Sequence, residues 1–363
     1  MSERGYWVAF SLVKGIGPVR FRQLLSAFGT LQMAWQAPDD ALRTAGLDRR
    51  SLQSLKEARP RITPAAELAR LDHLGIAALT WEDDLYPALL ASLRQIDHAP
   101  PVLYLRGTLD PADEWAITVV GTRSVSAYGR QVTHQIAGEL AANGLTIVSG
   151  LARGVDAEAH QAALDAGART IAVLACGLDT IYPPEHRQLA TRIIQQGALV
   201  SPFPLGTEPV GGNFSARNRV MSGLARGVIV TEASDKSGAL ITAGHALEQG
   251  REVFAVPGNI TAHSSAGTNR LIQDGAHPVL SAQDVLDVLN LERVADFTQA
   301  RRALPDMTPE EQAVLAHLSA DPTHIDEVVA AAGLSAAATG SALVTLELKG
   351  MVRSVGGMMY VRT

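Results

Sequence analysis

The stretch Ala116-Ile-Thr-Val-Val-Gly-Thr-Arg-Ser-Val-Ser-Ala-Tyr-Gly129 places an apolar, β-branched run directly before a glycine and a helical pattern. This order predicts a strand, a tight turn and a helix, which together open an α/β unit. Gly121 allows the turn, and Ser124 or Ser126 can cap the helix. Amides at the helix start attract anions, and Arg123 can clamp a phosphate beside them. An ordinary turn with a surface arginine is the other interpretation of this stretch alone.

The alternation of strand and helix continues along most of the chain. Strands are predicted at residues 76–80, 102–105, 116–120, 145–148, 170–175, 198–201, 227–232, 252–256 and 278–280. Near-continuous apolar strands separated by helices indicate a mostly parallel sheet that is covered on both faces. The predicted fold class is therefore α/β, with an extended Rossmann-like sheet over residues 76–290. Ligands of such sheets bind at the carboxyl ends of the strands.

Glycine, serine or a basic residue follows six successive strand ends, those from residues 116–120 to residues 252–256. This favours a shared groove for an anion or a nucleotide. Arg217 and Arg219 stand two positions apart near a helix start, so they point to different sides and cannot both bind one phosphate. One of them can instead be a structural ion-pair partner. The predicted contacts with nucleic acid are Gly121, Arg123, Ser124, Ser126, Ser149, Gly150, Arg153, Gly154, Phe214, Arg217, Asn218, Arg219, Lys236, Ser237, Gly238 and Thr242.

Residues 1–75 show helical spacing throughout and predict an all-α domain of the helix-hairpin-helix or sterile-alpha-motif type. Within it, Lys14, Gly15 and Gly17 can hold a DNA phosphate on backbone amides, or the two glycines can simply make a tight turn.

Residues 291–305 read as a linker, and residues 306–363 predict helices followed by a two-stranded hairpin, the pattern of a winged helix. Thr308 to Glu311 form a capping box at the start of this domain. Its candidate recognition helix, Ala336 to Leu348, carries no basic residue before Lys349. A helix that reads DNA needs basic or amide side chains, so a structural or protein-contact role is favoured.

Composition and motifs narrow the function classes. The chain has 363 residues, a formal net charge of −6 and one cysteine, Cys176. A single cysteine and the absence of a long apolar segment predict a cytoplasmic protein without membrane contact. We expect no metal, cofactor or catalytic residue, because ligand spacings and complete phosphate-binding glycine motifs are missing. His160 and Cys176 are predicted to be packed inside, and Asp156 and Glu232 to cap turns or fix an arginine.

Several motifs in order resemble the DprA/Smf family of DNA-processing proteins. They are Gly121 to Gly129, Ser149-Gly-Leu-Ala-Arg-Gly-Val-Asp-Ala-Glu-Ala-His160, Arg217-Asn-Arg219, Ser237-Gly-Ala-Leu-Ile-Thr-Ala243 and Val256-Pro-Gly258. The resemblance implies a protein that binds single-stranded DNA, forms a homodimer and loads the recombinase RecA during natural transformation, displacing single-strand-binding protein. His186 and Ser215 depart from the family pattern, which commonly has Asn and Pro there.

Two other functions remain open at this point. The first is a nucleotide-binding enzyme of the phosphoribohydrolase-like group, whose turn typically reads Pro-Gly-Gly-x-Gly-Thr. Here that turn reads Lys236-Ser-Gly-Ala-Leu-Ile-Thr242, so the catalytic pattern is missing. The second is an adaptor that contacts RecA without binding DNA.

Overall fold

The chain forms two units, Met1–Leu291 and Glu292–Thr363. The computed structural model describes residues 3–291, 307–319, 323–348 and 351–362. The linker predicted over residues 291–305 lies outside the described residues except for its first position. Lys349 also lies outside them.

Six helices come first in the larger unit: α1 (Glu3–Ser11), α2 (Pro18–Phe28), α3 (Leu31–Gln36), α4 (Asp39–Thr44), α5 (Arg49–Ala58) and α6 (Pro64–His73). Strands and helices then alternate in the order β1 (Ala77–Thr80), α7 (Ala88–Ala91), β2 (Val102–Gly107), β3 (Ala116–Val120), α8 (Ala127–Ala142), β4 (Thr146–Ser149), α9 (Val155–Asp165), β5 (Thr170–Val173), α10 (Arg187–Gln196), β6 (Ala198–Ser201), α11 (Gly211–Gly223), β7 (Gly227–Val230), α12 (Ala239–Glu248), β8 (Glu252–Ala255), α13 (Ala266–Gln273), β9 (His277–Pro278) and α14 (Ala282–Val288).

One nine-stranded sheet runs in the order β1-β2-β6-β5-β4-β3-β7-β8-β9. Strands β3 to β9 are parallel, whereas β2 pairs antiparallel with both β1 and β6. Every residue of β3 to β7 is buried, as strands covered by helices on both faces should be. The predicted α/β class with an extended Rossmann-like sheet is therefore confirmed. The sequence did not predict that β2 pairs antiparallel with its neighbours at this edge, because an apolar run looks the same in a parallel and an antiparallel strand.

The N-terminal helices share their core with the sheet edge. The ring of Trp7 lies 5.6 Å from the ring of Phe21 and 5.9 Å from that of Trp81, which follows β1. Phe10 and Trp35 meet edge to face at 5.0 Å. The chain changes from helix to strand between residues 73 and 77, near the predicted boundary of residues 1–75 and 76–290, and that division into domains stays a prediction.

The smaller unit contains α15 (Pro309–Leu315), β10 (Thr323–His324), α16 (Ile325–Ala332), α17 (Ala336–Leu348), β11 (Val352–Gly356) and β12 (Met359–Arg362). The predicted capping box is confirmed, because the amide of Thr308 donates to Glu311 Oε2 at 2.9 Å and the amide of Glu311 donates to Thr308 Oγ1 at 3.3 Å. Strands β11 and β12 form the predicted hairpin, and β10 adds a third strand. In the described part of the chain, no single helix is long and apolar enough to cross a membrane.

His160 on α9 is fully buried, as the sequence predicts. Its Nδ1 lies 2.7 Å from Thr170 Oγ1, and that hydroxyl donates to the carbonyl of Ile147 at 2.7 Å. Burial lowers the pKa of His160 to about 3, whereas an unfolded chain protonates histidine near pH 6.5. The unfolded state therefore binds more protons below about pH 6.5, and stability falls as the pH falls through that range.

We expect His160→Gln to remove this part of the pH dependence. Between about pH 7.5 and 5.5, the wild-type chain should lose about 1.4 kcal/mol more unfolding free energy than the variant. Urea unfolding followed by circular dichroism at the two pH values measures the difference. His263→Gln changes an exposed histidine of the same unit and should keep the wild-type loss. Equal losses in the wild type and His160→Gln would contradict this account.

Candidate nucleic-acid interface

An open cleft lies where the order of the sheet reverses. Strand β3 has β4 on one side and β7 on the other, so the connections after these strands diverge and leave a crevice at their carboxyl ends. The cleft is lined by Val120, Gly121, Thr122, Arg123, Ala152, Asp156, Gly211, Phe214, Ser215, Arg217, Asn218, Met221, Ser234, Ser237, Gly238, Ala239, Ile241 and Thr242. It therefore brings together predicted contacts from three separate segments of the sequence, within residues 121–123, 214–218 and 237–242.

The turn after β3 is built around Glu232. The amide of Thr122 donates to the carbonyl of Glu232 at 2.7 Å, and the amide of Ser126 donates to its carboxylate at 2.9 Å. Gly121 is required here, because a Cβ atom would stand 2.7 Å from that carbonyl. Ser126 caps α8 by accepting a hydrogen bond from the amide of Gly129 at 3.0 Å. The predicted cap is thus Ser126, and Glu232 has the predicted turn-capping role.

Arg123 leaves this turn as an exposed side chain and lies over an aromatic ring. Its guanidinium carbon is 5.0 Å from the ring centre of Phe214 on α11, within the range of a cation–π contact. The ring of Tyr182 lies 6.3 Å from the same phenylalanine and is 41% exposed. Arg123 and Phe214 line the cleft and, together with Tyr182, an adjoining pocket. A cation and two rings thus stand together where the two meet, which we call the mouth of the cleft.

Arg217 lies below this group and is only 4% exposed. Its Nη1 is 3.9 Å from Asp156 Oδ2 and donates to the carbonyl of Val173 at 3.2 Å. Burial raises the pKa of Asp156, and the Arg217 guanidinium opposes that shift. Arg217 is therefore the structural ion-pair partner that the sequence left open, although its side chain also lines the cleft.

Arg219, in contrast, does not line the cleft. Its charge acts on His98, whose pKa is lowered mainly by burial, and on Glu248. The prediction that Arg217 and Arg219 point to different sides is confirmed, because they belong to different surroundings. Asn218 between them is buried and does line the cleft.

The segment after β4 packs closely against its neighbours and offers few side chains for contact with a ligand. Ser149 is fully buried and its hydroxyl donates to the carbonyl of Val119 at 2.6 Å, so this side chain is not free to bind a ligand. A Cβ atom on Gly150 would stand 1.3 Å from Arg217 Nη1, and one on Gly154 would stand 2.3 Å from the carbonyl of Thr122. The two glycines let the segment pass directly beside the ion pair and the β3 turn.

The exposed cations at the edge of the site have different surroundings. Arg153 forms an ion pair with Glu185 and lines a neighbouring pocket with Tyr182 and Phe214. Lys236 is exposed in the loop before α12 and does not line the cleft, whereas Ser237, Gly238 and Thr242 do. Ser124 is also exposed and lies outside the lining.

Cys176 is buried, and the two residues that depart from the family pattern, His186 and Ser215, make polar contacts within the protein. Burial raises the pKa of the Cys176 thiol to about 11, so it is protonated and a poor nucleophile near neutral pH, in line with the predicted packing role. His186 Nδ1 lies 2.8 Å from the carbonyl of Leu151, and Ser215 Oγ lies 3.3 Å from His245 Nε2. Among the described residues, no group of three or more potential ligands is placed to hold a metal ion.

Sequence reasoning missed several lining residues. Thr122, Ala152, Gly211, Ser234 and Ile241 lie one to three positions from predicted contacts. Their small or apolar side chains carry no charge signal, and only their position beside the glycine turns could have indicated them. The remaining predictions, Lys14, Gly15 and Gly17, lie in the turn between α1 and α2 and do not line this cleft.

Comparison with known proteins gives the same family along the whole chain. Residues 77–290 match the family model of DNA recombination-mediator protein A, and residues 298–358 match the DprA winged helix domain. Protein Smf of Synechocystis is 36% identical and Protein Smf of Escherichia coli is 38% identical. These matches cover 99% of both the chain and the Synechocystis protein, and 88% of the chain and 86% of the Escherichia coli protein.

Two solved structures are also similar. DNA processing protein A of Streptococcus pneumoniae is 34% identical with a TM-score of 0.68, covering 79% of this chain and 98% of that one. DNA processing protein A of Helicobacter pylori, described for its single-stranded DNA binding mode, is 32% identical with a TM-score of 0.53, covering 60% of this chain and 96% of that one. With the sheet, the cleft and the winged helix domain in place, the chain belongs to the DprA/Smf family of DNA recombination-mediator proteins.

Proposed function

We propose that this chain binds single-stranded DNA in the cleft at the carboxyl ends of β3 and β7. The observation that carries the proposal is the group of Arg123, Phe214 and Tyr182 at the cleft mouth, where α12 also begins. A cation and the amides of a helix start suit phosphates. An aromatic face suits an unpaired base, because bases in a duplex already stack on each other.

The acidic residues in and beside the cleft favour binding over catalysis. Asp156 is buried against Arg217, and Glu232 accepts the amide of Ser126. Neither carboxylate is therefore free to act as a general acid or base on a nucleotide. This supports a binding protein over the phosphoribohydrolase-like enzyme.

The role of this DNA binding in the cell is proposed from family membership. We propose that the chain acts in the cytoplasm as a homodimer and loads RecA onto single-stranded DNA during natural transformation. Single-strand-binding protein is the partner that it would displace. An open cleft supports this role, because a mediator must release its strand to the recombinase.

We expect Arg123→Ala to weaken binding of labelled oligo-dT about fivefold near 0.1 M salt. Loss of one phosphate contact should also lower the slope of log affinity against log salt by about 0.7. Fluorescence anisotropy over a salt series measures both quantities. Arg130→Ala removes an exposed cation of α8 outside the cleft and should change neither. An unchanged affinity and slope in Arg123→Ala would remove this arginine from the binding site.

Phe214→Leu should have a different signature, because it removes a stacking face and no charge. We expect a loss of about 1–3 kcal/mol in binding free energy with an unchanged salt slope. The same anisotropy series measures the effect. Tyr128→Leu, at an exposed ring whose hydroxyl donates to the carbonyl of Pro257, is the matched aromatic control. Wild-type affinity in Phe214→Leu would show that no base stacks there.

Loading is tested separately from binding. On single-stranded DNA coated with single-strand-binding protein, we expect the wild-type chain to speed RecA filament formation and Arg123→Ala to do so less. Filament formation can be followed by DNA-dependent ATP hydrolysis of RecA. If the wild-type chain binds DNA but leaves the RecA rate unchanged, the loading function fails and the binding function stands.

A further inference from the structure

A second group of cations surrounds a pocket in the N-terminal helices. The pocket lies between the α1–α2 turn and the first turns of α5 and is lined by Lys14, Gly15, Arg49, Arg50, Gln53 and Ser54. Lys14, Arg49 and Arg50 are exposed. Among the described residues, none of the three has a carboxylate within 4.0 Å, although other cations of the same helices do, such as Arg20 with Asp48. On a chain of net charge −6, this is a local concentration of positive charge.

The backbone holds these cations in place. Gly15 adopts a φ of +87°, and Ser51 Oγ donates to its carbonyl at 3.2 Å, which fixes the turn against α5. Asp48 caps α5 by accepting a hydrogen bond from the amide of Ser51 at 2.8 Å. Because Arg20 pairs with Asp48, this carboxylate does not neutralise the pocket.

The residues that line the pocket also indicate which kind of anion it can bind. Gln53 and Ser54 add polar groups of the kind that contact phosphate and sugar. None of the described residues that line the pocket is aromatic, so they offer no stacking surface for an unpaired base. Its chemistry therefore suits a phosphodiester backbone whose bases are already stacked inside a duplex.

We propose that the pocket of Lys14, Arg49 and Arg50 binds the phosphate backbone of duplex DNA. This site uses other residues than the single-strand cleft and does not rest on that proposal. Its contacts are with phosphates, so its binding is independent of base sequence and strongly dependent on salt. One molecule could then hold a single strand and a duplex at the same time.

Two of the three predicted N-terminal contacts line this pocket. Lys14 and Gly15 line the pocket, whereas Gly17 does not, and a Cβ atom on Gly17 would meet nothing within 4 Å. The two interpretations of the glycines, a tight turn and a phosphate contact, can therefore both hold at Gly15. Arg49 and Arg50, which complete the pocket, are distant in sequence from the glycine motif.

The test is the affinity of the full chain for a labelled duplex of random sequence, measured by anisotropy over a salt series. We expect Arg49→Ala to weaken duplex binding and to lower the salt slope by about 0.9. Lys56→Ala removes a cation of the same helix that pairs with Asp39 at 2.8 Å and should keep the wild-type slope. Arg49→Lys retains the charge and should restore most of the affinity.

Binding of short oligo-dT separates the two sites. Arg49→Ala should leave oligo-dT affinity unchanged, whereas Arg123→Ala should weaken it and leave duplex binding unchanged. The proposal is overturned if the wild-type chain does not bind duplex, or if Arg49→Ala and the Arg49→Ala/Arg50→Ala double variant bind it with wild-type affinity and slope. It is also overturned if Arg49→Ala weakens oligo-dT and duplex equally, because the cations would then extend the single-strand path.

Discussion

The cleft depends on a buried ion pair. Arg217 and Asp156 come from α11 and α9, and both are almost inaccessible to water. Removing one partner of such a pair typically costs about 3–5 kcal/mol, because the other charge stays buried without compensation. The pair therefore requires that the start of α9, the middle of α11 and the end of β5 keep fixed positions. Phe214 lies one turn before Arg217 on the same helix, so the ring at the cleft mouth is placed by the charge below it.

The ion pair and Glu232 also explain the glycines around the cleft. Gly150 has no room for a side chain because Arg217 occupies that space, and Gly121 and Gly129 leave room for Glu232. These glycines look like a phosphate-binding pattern in the sequence, and at the strand ends they do leave backbone close to the cleft. The immediate reason for glycine at these positions, however, is that other protein groups occupy the space that a side chain would need. A glycine-rich motif can thus indicate a binding site while each glycine is required by packing.

Much of the larger unit could be predicted from the sequence. The parallel strands are apolar runs, and β3, β4 and β6 end at or directly before glycine or serine. The helix cap at Ser126, like that at Thr308 in the smaller unit, follows local rules. The strand β2 could be predicted, but its antiparallel direction could not, since both directions bury the same side chains. The sequence also could not predict that Arg217 is buried in an ion pair whereas Arg123 is exposed over Phe214. Burial of a charge depends on partners such as Asp156, which is 61 positions away from Arg217 in the sequence, and no local pattern records that pairing.

The two ends of the chain differ in their distribution of basic residues. Helix α17 occupies the place of a recognition helix in the winged helix domain, yet its described residues carry one acidic side chain, Glu347, and no basic one. Such a helix has nothing to offer a phosphate backbone or the acceptors of guanine. The N-terminal helices instead carry Lys14, Arg49 and Arg50 around one pocket. In this chain, therefore, the helical domain has the electrostatic character expected of a duplex-binding surface, and α17 has that of a protein contact.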